Sequence, residues 1–97
     1  MRVFSLSTLR AFWIEHADSE QPLRAWHAEA EHAEWKGPQD VRSRYRSADV
    51  IPGDRIVFDI TGNKYRLIVA VKYEFKAVYV RFVGTHAEYD AIDAEKV

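Results

Sequence analysis

The sequence predicts an α+β domain, with an N-terminal helical hairpin packed on a small antiparallel sheet and a short helix after the last strand. Three observations predict it. Apolar residues recur at helical spacing through the first third of the chain, and they alternate at strand spacing from Arg55 to Val83. A helix-start signature then stands at Thr85-His86-Ala87-Glu88.

Each element follows in order. Arg2-Val3-Phe4 reads as a short edge strand. Leu6, Leu9, Phe12 and Trp13 have helical spacing, with Ser5 or Ser7 as the cap. Asp18 and Ser19 offer a second cap, and Pro22 sits in a tolerated first turn. Leu23, Trp26, Ala30 and Ala33 form the stripe of the second helix, Trp13 and Trp26 are core candidates, and Trp35 closes the helix end. Gly37-Pro38 breaks the chain, and Gln39 to Tyr45 forms a short arginine-rich helical turn. Ile51-Pro52-Gly53-Asp54 is a turn. Arg55 to Ile60, Lys64 to Tyr73 and Ala77 to Val83 are strands, joined through Thr61-Gly62-Asn63 and Glu74-Phe75-Lys76 into a three-stranded meander. In the middle strand Tyr65, Leu67, Val69 and Val71 share one face, and Lys64, Arg66, Ile68, Ala70 and Lys72 the other.

Composition narrows the function classes. Ninety-seven residues predict one domain, residues 1–97. Without cysteine there is no disulfide framework and no thiolate zinc site, which is compatible with a reducing cytoplasm. No apolar run approaches the roughly 20 residues of a membrane-spanning helix. Arg10 and Glu15 interrupt what would be the apolar region of a signal peptide, so none is expected. The net charge of −1 hides an asymmetry. Residues 1–35 carry three basic and six acidic side chains, residues 36–81 ten basic and five acidic, and residues 82–97 one basic and four acidic. A basic middle is how a phosphate-binding face looks. Its arginines and lysines, among them Arg42, Arg44, Arg46, Lys72 and Arg81, are candidate RNA contacts, although no specific motif singles them out.

The chemistry-bearing stretch is GTHAEYD, Gly84 to Asp90. Thr85 and Glu88 form a capping box, so His86 opens a helix and Tyr89 lies one turn on. A helix start favours anions and disfavours imidazolium, so a neutral His86 beside a phosphate can act as a general base. Arg66, on the polar-bearing face of the middle strand, can hold a phosphate bidentately, with Lys64 as a second cation. Bland readings exist for each. His86 can be a solvated helix start, Tyr89 can pack on the sheet, and Arg66 can pair with Asp90 or Glu88 as a surface ion pair. His16, His27 and His32 with Glu29 and Glu31 fit a polar helix face better than a metal cluster, and no metal or other cofactor is expected.

The runs GNKYRLIVAVKY and VYVRFVGTHAEYD, together with WKGPQDVRSRY, resemble the HigB-type toxins of bacterial toxin–antitoxin systems, within the wider RelE-like superfamily. The resemblance covers nearly the whole chain. It implies a RelE-like α+β fold and metal-independent cleavage of mRNA, often on the ribosome. It also implies a HigA-like helix-turn-helix antitoxin as partner and no membrane association. Arg66 stands where these toxins carry a phosphate-contacting arginine, and His86 and Tyr89 occupy the two family positions after the final strand. Histidine at 86 departs from the RelE branch and matches the HigB branch. The implied roles are His86 as general acid or base, Arg66 as phosphate clamp, Tyr89 as stacking or relay residue and Lys64 as second cation. The alternative is a non-catalytic RNA- or protein-binding module that keeps only its antitoxin contact.

Overall fold

The computed structural model describes all residues 1–97. The chain runs β1 (Arg2–Phe4), α1 (Leu6–Glu15), α2 (Glu20–His32), α3 (Pro38–Arg44), β2 (Asp49–Ile51), β3 (Arg55–Ile60), β4 (Tyr65–Lys72), β5 (Ala77–Thr85) and α4 (His86–Asp90). Short 3-10 turns at Ala17–Ser19 and Tyr73–Phe75 link α1 to α2 and β4 to β5. No helix is long and apolar enough to cross a membrane.

The fold is α+β with one five-stranded sheet in the order β1-β5-β4-β3-β2. The meander β3-β4-β5 is antiparallel and forms its centre. The edges go beyond the three strands that alternation alone predicts. β1 adds to β5 in parallel, which short-range pattern cannot specify. β2 pairs with β3 through the turn at Pro52–Asp54, so Ile51 ends a strand instead of opening a turn. Three residues, Asp-Val-Ile, are too few to display a period; their pairing with β3 makes them a strand.

The helices cover one face of the sheet. α1 buries Leu9 and Trp13, and α2 buries Leu23, Trp26 and Ala30. They meet Ile56, Phe58, Ile60, Tyr65, Leu67, Val69, Val71 and Val78 in one cluster, which Trp35 also joins. Phe58 is its centre, with the Trp26 and Tyr45 rings edge-on at centroid distances of 5.4 and 5.1 Å. Such contacts contribute about 0.5–1.5 kcal/mol each beyond area burial.

The caps of the hairpin differ from expectation. Neither Ser5 nor Ser19 makes a side-chain cap bond. The Ser5 and Ser7 hydroxyls bond each other, and Ser19 Oγ, fully buried, donates back to the His16 carbonyl. The Asp18 carboxylate is taken by Lys64 in the β3–β4 turn and by Tyr65 at the start of β4.

The second face of the sheet carries no long helix. A bulge lies between Ile68 and Val69: Ile68 pairs with Phe82 and Val69 with Val80, which leaves Arg81 as the extra residue. This keeps Val80 and Val83 on the core side of the sheet although the run between them is out of step. Residues 91–97 leave α4 at the Thr85 end of β5 and return to β3, where the Arg55 guanidinium donates to the Val97 carbonyl. On the second face Val57, Ile68 and Ala70 are all buried.

Candidate active site

The β3–β4 turn and the start of α4 meet at one end of the second face. Tyr65 pairs with Thr85 and Arg66 with Gly84, so the start of α4 is carried directly beside the turn. Thr61 and Gly62 both have positive φ, 55° and 65°, and this bend turns Asn63 toward α4. Asn63 is the hub. Its side-chain Oδ1 accepts from Arg66 Nη1 at 3.0 Å, and its backbone carbonyl accepts from His86 Nε2.

Arg66 makes a second contact through the same nitrogen. Asp59, its direct partner on β3, forms an ion pair with Nη1 at 2.7 Å. The arginine side chain is only 18% exposed, so the pair is partly shielded from water. Both contacts use Nη1, which leaves Nη2 and Nε–H as unspent donors. The Tyr89 ring centroid lies 5.9 Å from the guanidinium Cζ. Arg66 and His86 thus meet on one residue, Asn63, with Tyr89 beside the guanidinium, at one end of the sheet.

The capping box predicted at Thr85 is formed. The Thr85 hydroxyl accepts from the Glu88 N–H at 3.2 Å, and the Glu88 carboxylate accepts from the Thr85 N–H at 2.8 Å. Gly84 sits under this box. A Cβ there would come within 2.5 Å of Phe82 Cζ and 2.9 Å of Glu88 Oε1. Glycine at this position is therefore a matter of space.

Lys64 does not join the group. It lies in the turn, before β4 begins at Tyr65, so strand alternation does not place it beside Arg66. Its ammonium pairs with Asp18 at 2.5 Å, toward the helices, and the Tyr65 hydroxyl donates to the same carboxylate at 2.6 Å. These two bonds, Lys64 first, hold the Asp18 carboxyl below the usual carboxylate range. The Asp18 hydrogen bond in turn raises Lys64 and Tyr65. Asp18 thus ties the start of α2 to the turn that carries Asn63.

The other cations are dispersed. Arg44 pairs with Glu29 at 2.5 Å and lies over the Tyr45 ring. Glu29 is held low first by the Tyr45 hydroxyl and then by Arg44, while burial pushes the Tyr45 hydroxyl up. Arg42 and Arg46 are exposed, on α3 and just after it. Lys72 is at the far end of β4, and Arg81 is the exposed bulge residue of β5. His27 pairs with Glu31 along α2 at 3.5 Å. Of the nine candidate residues, Arg66, His86 and Tyr89 are brought together; Lys64 and the five RNA-contact candidates are not.

Sequence pattern does not single out two members of the group, Asp59 and Asn63. The signal that could have found them was turn length. A three-residue turn at 61–63 puts Asp59 opposite Tyr65, whereas the observed connection through Lys64 sets Ile60 against Tyr65 and Asp59 against Arg66. One residue of register hides the pair.

Chemically, this arrangement presents a fixed cation with free donors, an imidazole and a phenol on an open surface. A carbonyl can only accept, so His86 Nε2 carries a hydrogen and Nδ1 is the nitrogen left for other chemistry. A cavity of about 170 Å³ between α2 and β3 is lined by Trp26, Glu29, Arg44, Tyr45 and Phe58 and reaches Asp59 and Thr61.

The chain is similar to known proteins. A family model of HigB toxins, described as the RelE-like toxic component of a toxin–antitoxin system, matches residues 19–92. The mRNA interferase toxin HigB of Escherichia coli (strain K12) is 32% identical over 62 residues. The mRNA interferases HigB of Escherichia coli O157:H7 and Shigella flexneri show the same identity over the same length. The match spans 62% of this chain and 60% of each of these relatives.

Proposed function

The chain belongs to the HigB family of RelE-like toxins, and from that premise we propose that it is a metal-independent endoribonuclease that cuts mRNA, on the ribosome, and so stops translation. We read the sheet and helix hairpin as the RelE-like arrangement. A helix-turn-helix antitoxin of the HigA type is the partner that neutralises it, and the cytoplasm is where it acts. The relatives named as mRNA interferases support the activity. The observation that carries the site is the convergence of Arg66 and His86 on Asn63, with Tyr89 against the guanidinium.

In the proposed reaction the RNA's own 2′-hydroxyl attacks the adjacent phosphorus. Nδ1 of His86 takes the 2′ proton, since Nε2 is committed to the Asn63 carbonyl. Nη2 and Nε–H of Arg66 hold the phosphate oxygens as negative charge builds. The bond from phosphorus to the 5′-oxygen breaks, and that oxygen receives a proton from the Tyr89 hydroxyl or a water. The products are a 2′,3′-cyclic phosphate and a 5′-hydroxyl. The general acid and base exchange places if His86 enters protonated. Lys64, held on Asp18, is outside this scheme.

The test incubates the protein with mRNA-programmed ribosomes and with naked mRNA, with and without EDTA, beside His86→Ala. Cuts on ribosomes that vanish in the variant support the proposal, and metal independence is read from whether any cutting of naked mRNA survives EDTA. Cuts on naked mRNA as well keep the site and discard the ribosome requirement. No cuts in either setting leave a binding module in place of an enzyme.

A further inference from the structure

The second face of the sheet holds an unexplained aromatic pair. Phe4 on β1 and Tyr79 on β5 are register partners, and their rings stack at 5.2 Å with an interplanar angle of 16°. They are 37% and 38% exposed, unusual for rings on a sheet whose other large apolar residues are mostly buried. The Arg2 guanidinium lies 5.3 Å from the Phe4 centroid. One row further, Arg2 and Lys72 flank Ala77 from the two neighbouring strands.

This pair shares its face with Arg66. Ala70 opposite Tyr79 and Arg66 opposite Gly84 lie on the same side of β4. The path from Gly84 to Tyr79 along β5 is about 16 Å at roughly 3.3 Å per residue, a few nucleotides. Exposed Arg81 stands beside it. The end of α4 and the tail after it carry Asp90, Asp93 and Glu95 with Lys96, and the tail ends at Arg55 on β3. Arg2, Lys72 and Arg81 make the β5–β1 side the cationic one, which draws a polyanion leaving Arg66 that way.

We propose that Phe4 and Tyr79 are a stacking platform for unpaired bases of an RNA strand running from Arg66 along β5, with Arg2 and Lys72 holding its phosphates. The proposal rests on the nuclease reading for its choice of RNA. Aromatic faces receive any base, so the platform adds affinity for length without adding sequence preference. The cations make that affinity fall as salt rises.

The test uses fluorescein-labelled 2′-O-methyl RNA, which cannot be cut, as a trimer and a decamer, read by anisotropy at fixed salt. Phe4→Leu and Tyr79→Leu each weaken decamer binding about tenfold and leave trimer binding unchanged. Tyr79→Phe keeps wild-type affinity, which separates lost stacking from lost packing, and equal urea midpoints confirm folding. Decamer affinity equal in the leucine variants, or no decamer binding by the wild type, overturns the platform. So does loss of antitoxin binding with RNA binding intact, which would assign the face to a protein. Wild-type cleavage of programmed ribosomes is measured separately. Cleavage without a decamer effect keeps the nuclease and removes the platform; a decamer effect without cleavage does the reverse.

Discussion

Asp59 and Arg66 face each other across β3 and β4 and are joined by a 2.7 Å ion pair on the face that carries Tyr89. The acid holds one nitrogen of the guanidinium, and Nη2 and Nε–H are left for a phosphate. Positioning and partial neutralisation come from the same contact.

Asp59→Asn separates the two. It leaves Arg66 charged but loosely held, and raises the local net charge by one. We expect kcat to fall about tenfold, as preorganised charge is lost, while RNA affinity does not fall. Steady-state kinetics on the cleaved substrate check this; a drop in affinity with kcat preserved would refute it.

Gly84→Ala puts a methyl group where Phe82 and Glu88 already stand. Phe82 has to swing away from its place beside Ile68, and Glu88 has to release the Thr85 N–H. The expected cost is about 1–2 kcal/mol, read from urea unfolding. Adding Phe82→Ala should recover part of it, since the nearest clash is with that ring.

Thr85→Ala removes the hydroxyl that accepts the Glu88 N–H. The cap is worth about 1 kcal/mol, and it belongs to a helix of five residues that carries His86 and Tyr89. Cleavage should therefore drop by more than the global stability loss predicts. Thr85→Ser, which keeps the hydroxyl, should restore both.

Acid should loosen the helix side of the molecule. Asp18 is held below the usual carboxylate range by Lys64 and Tyr65, and Glu29 by Tyr45 and Arg44. A carboxyl with a lowered native pKa stabilises the fold fully above its unfolded value, about 4, and loses that contribution as pH falls through the native value. Asp18→Asn should lower the urea midpoint at pH 7, and the gap from wild type should close as pH falls through the lowered native pKa of Asp18. A constant gap at every pH would show that the asparagine acts through packing.

Much of the fold was legible because its signals are short-range. The stripe Leu23, Trp26, Ala30 and the alternation Tyr65, Leu67, Val69, Val71 are periodic and end in the core. Strand alternation alone pairs the cations at 64 and 66, because the pattern carries one residue past the strand into the turn. Asp18 then took Lys64, a contact between residues 46 positions apart that no local pattern encodes.

By itself, then, the sequence determined the helical hairpin, the meander, the capping box at Thr85 and the family. Each depends on spacings of two to four residues, or on identities that survive without coordinates. Tertiary structure alone decided the parallel pairing of β1, the partners of Arg66 and His86, and the exit of Lys64 toward Asp18. Those contacts follow from strand register, and register was set by the positive φ of Thr61 and Gly62 and by the bulge at Ile68. A turn one residue longer moves every cross-strand partner by one, and sequence periodicity cannot register that change.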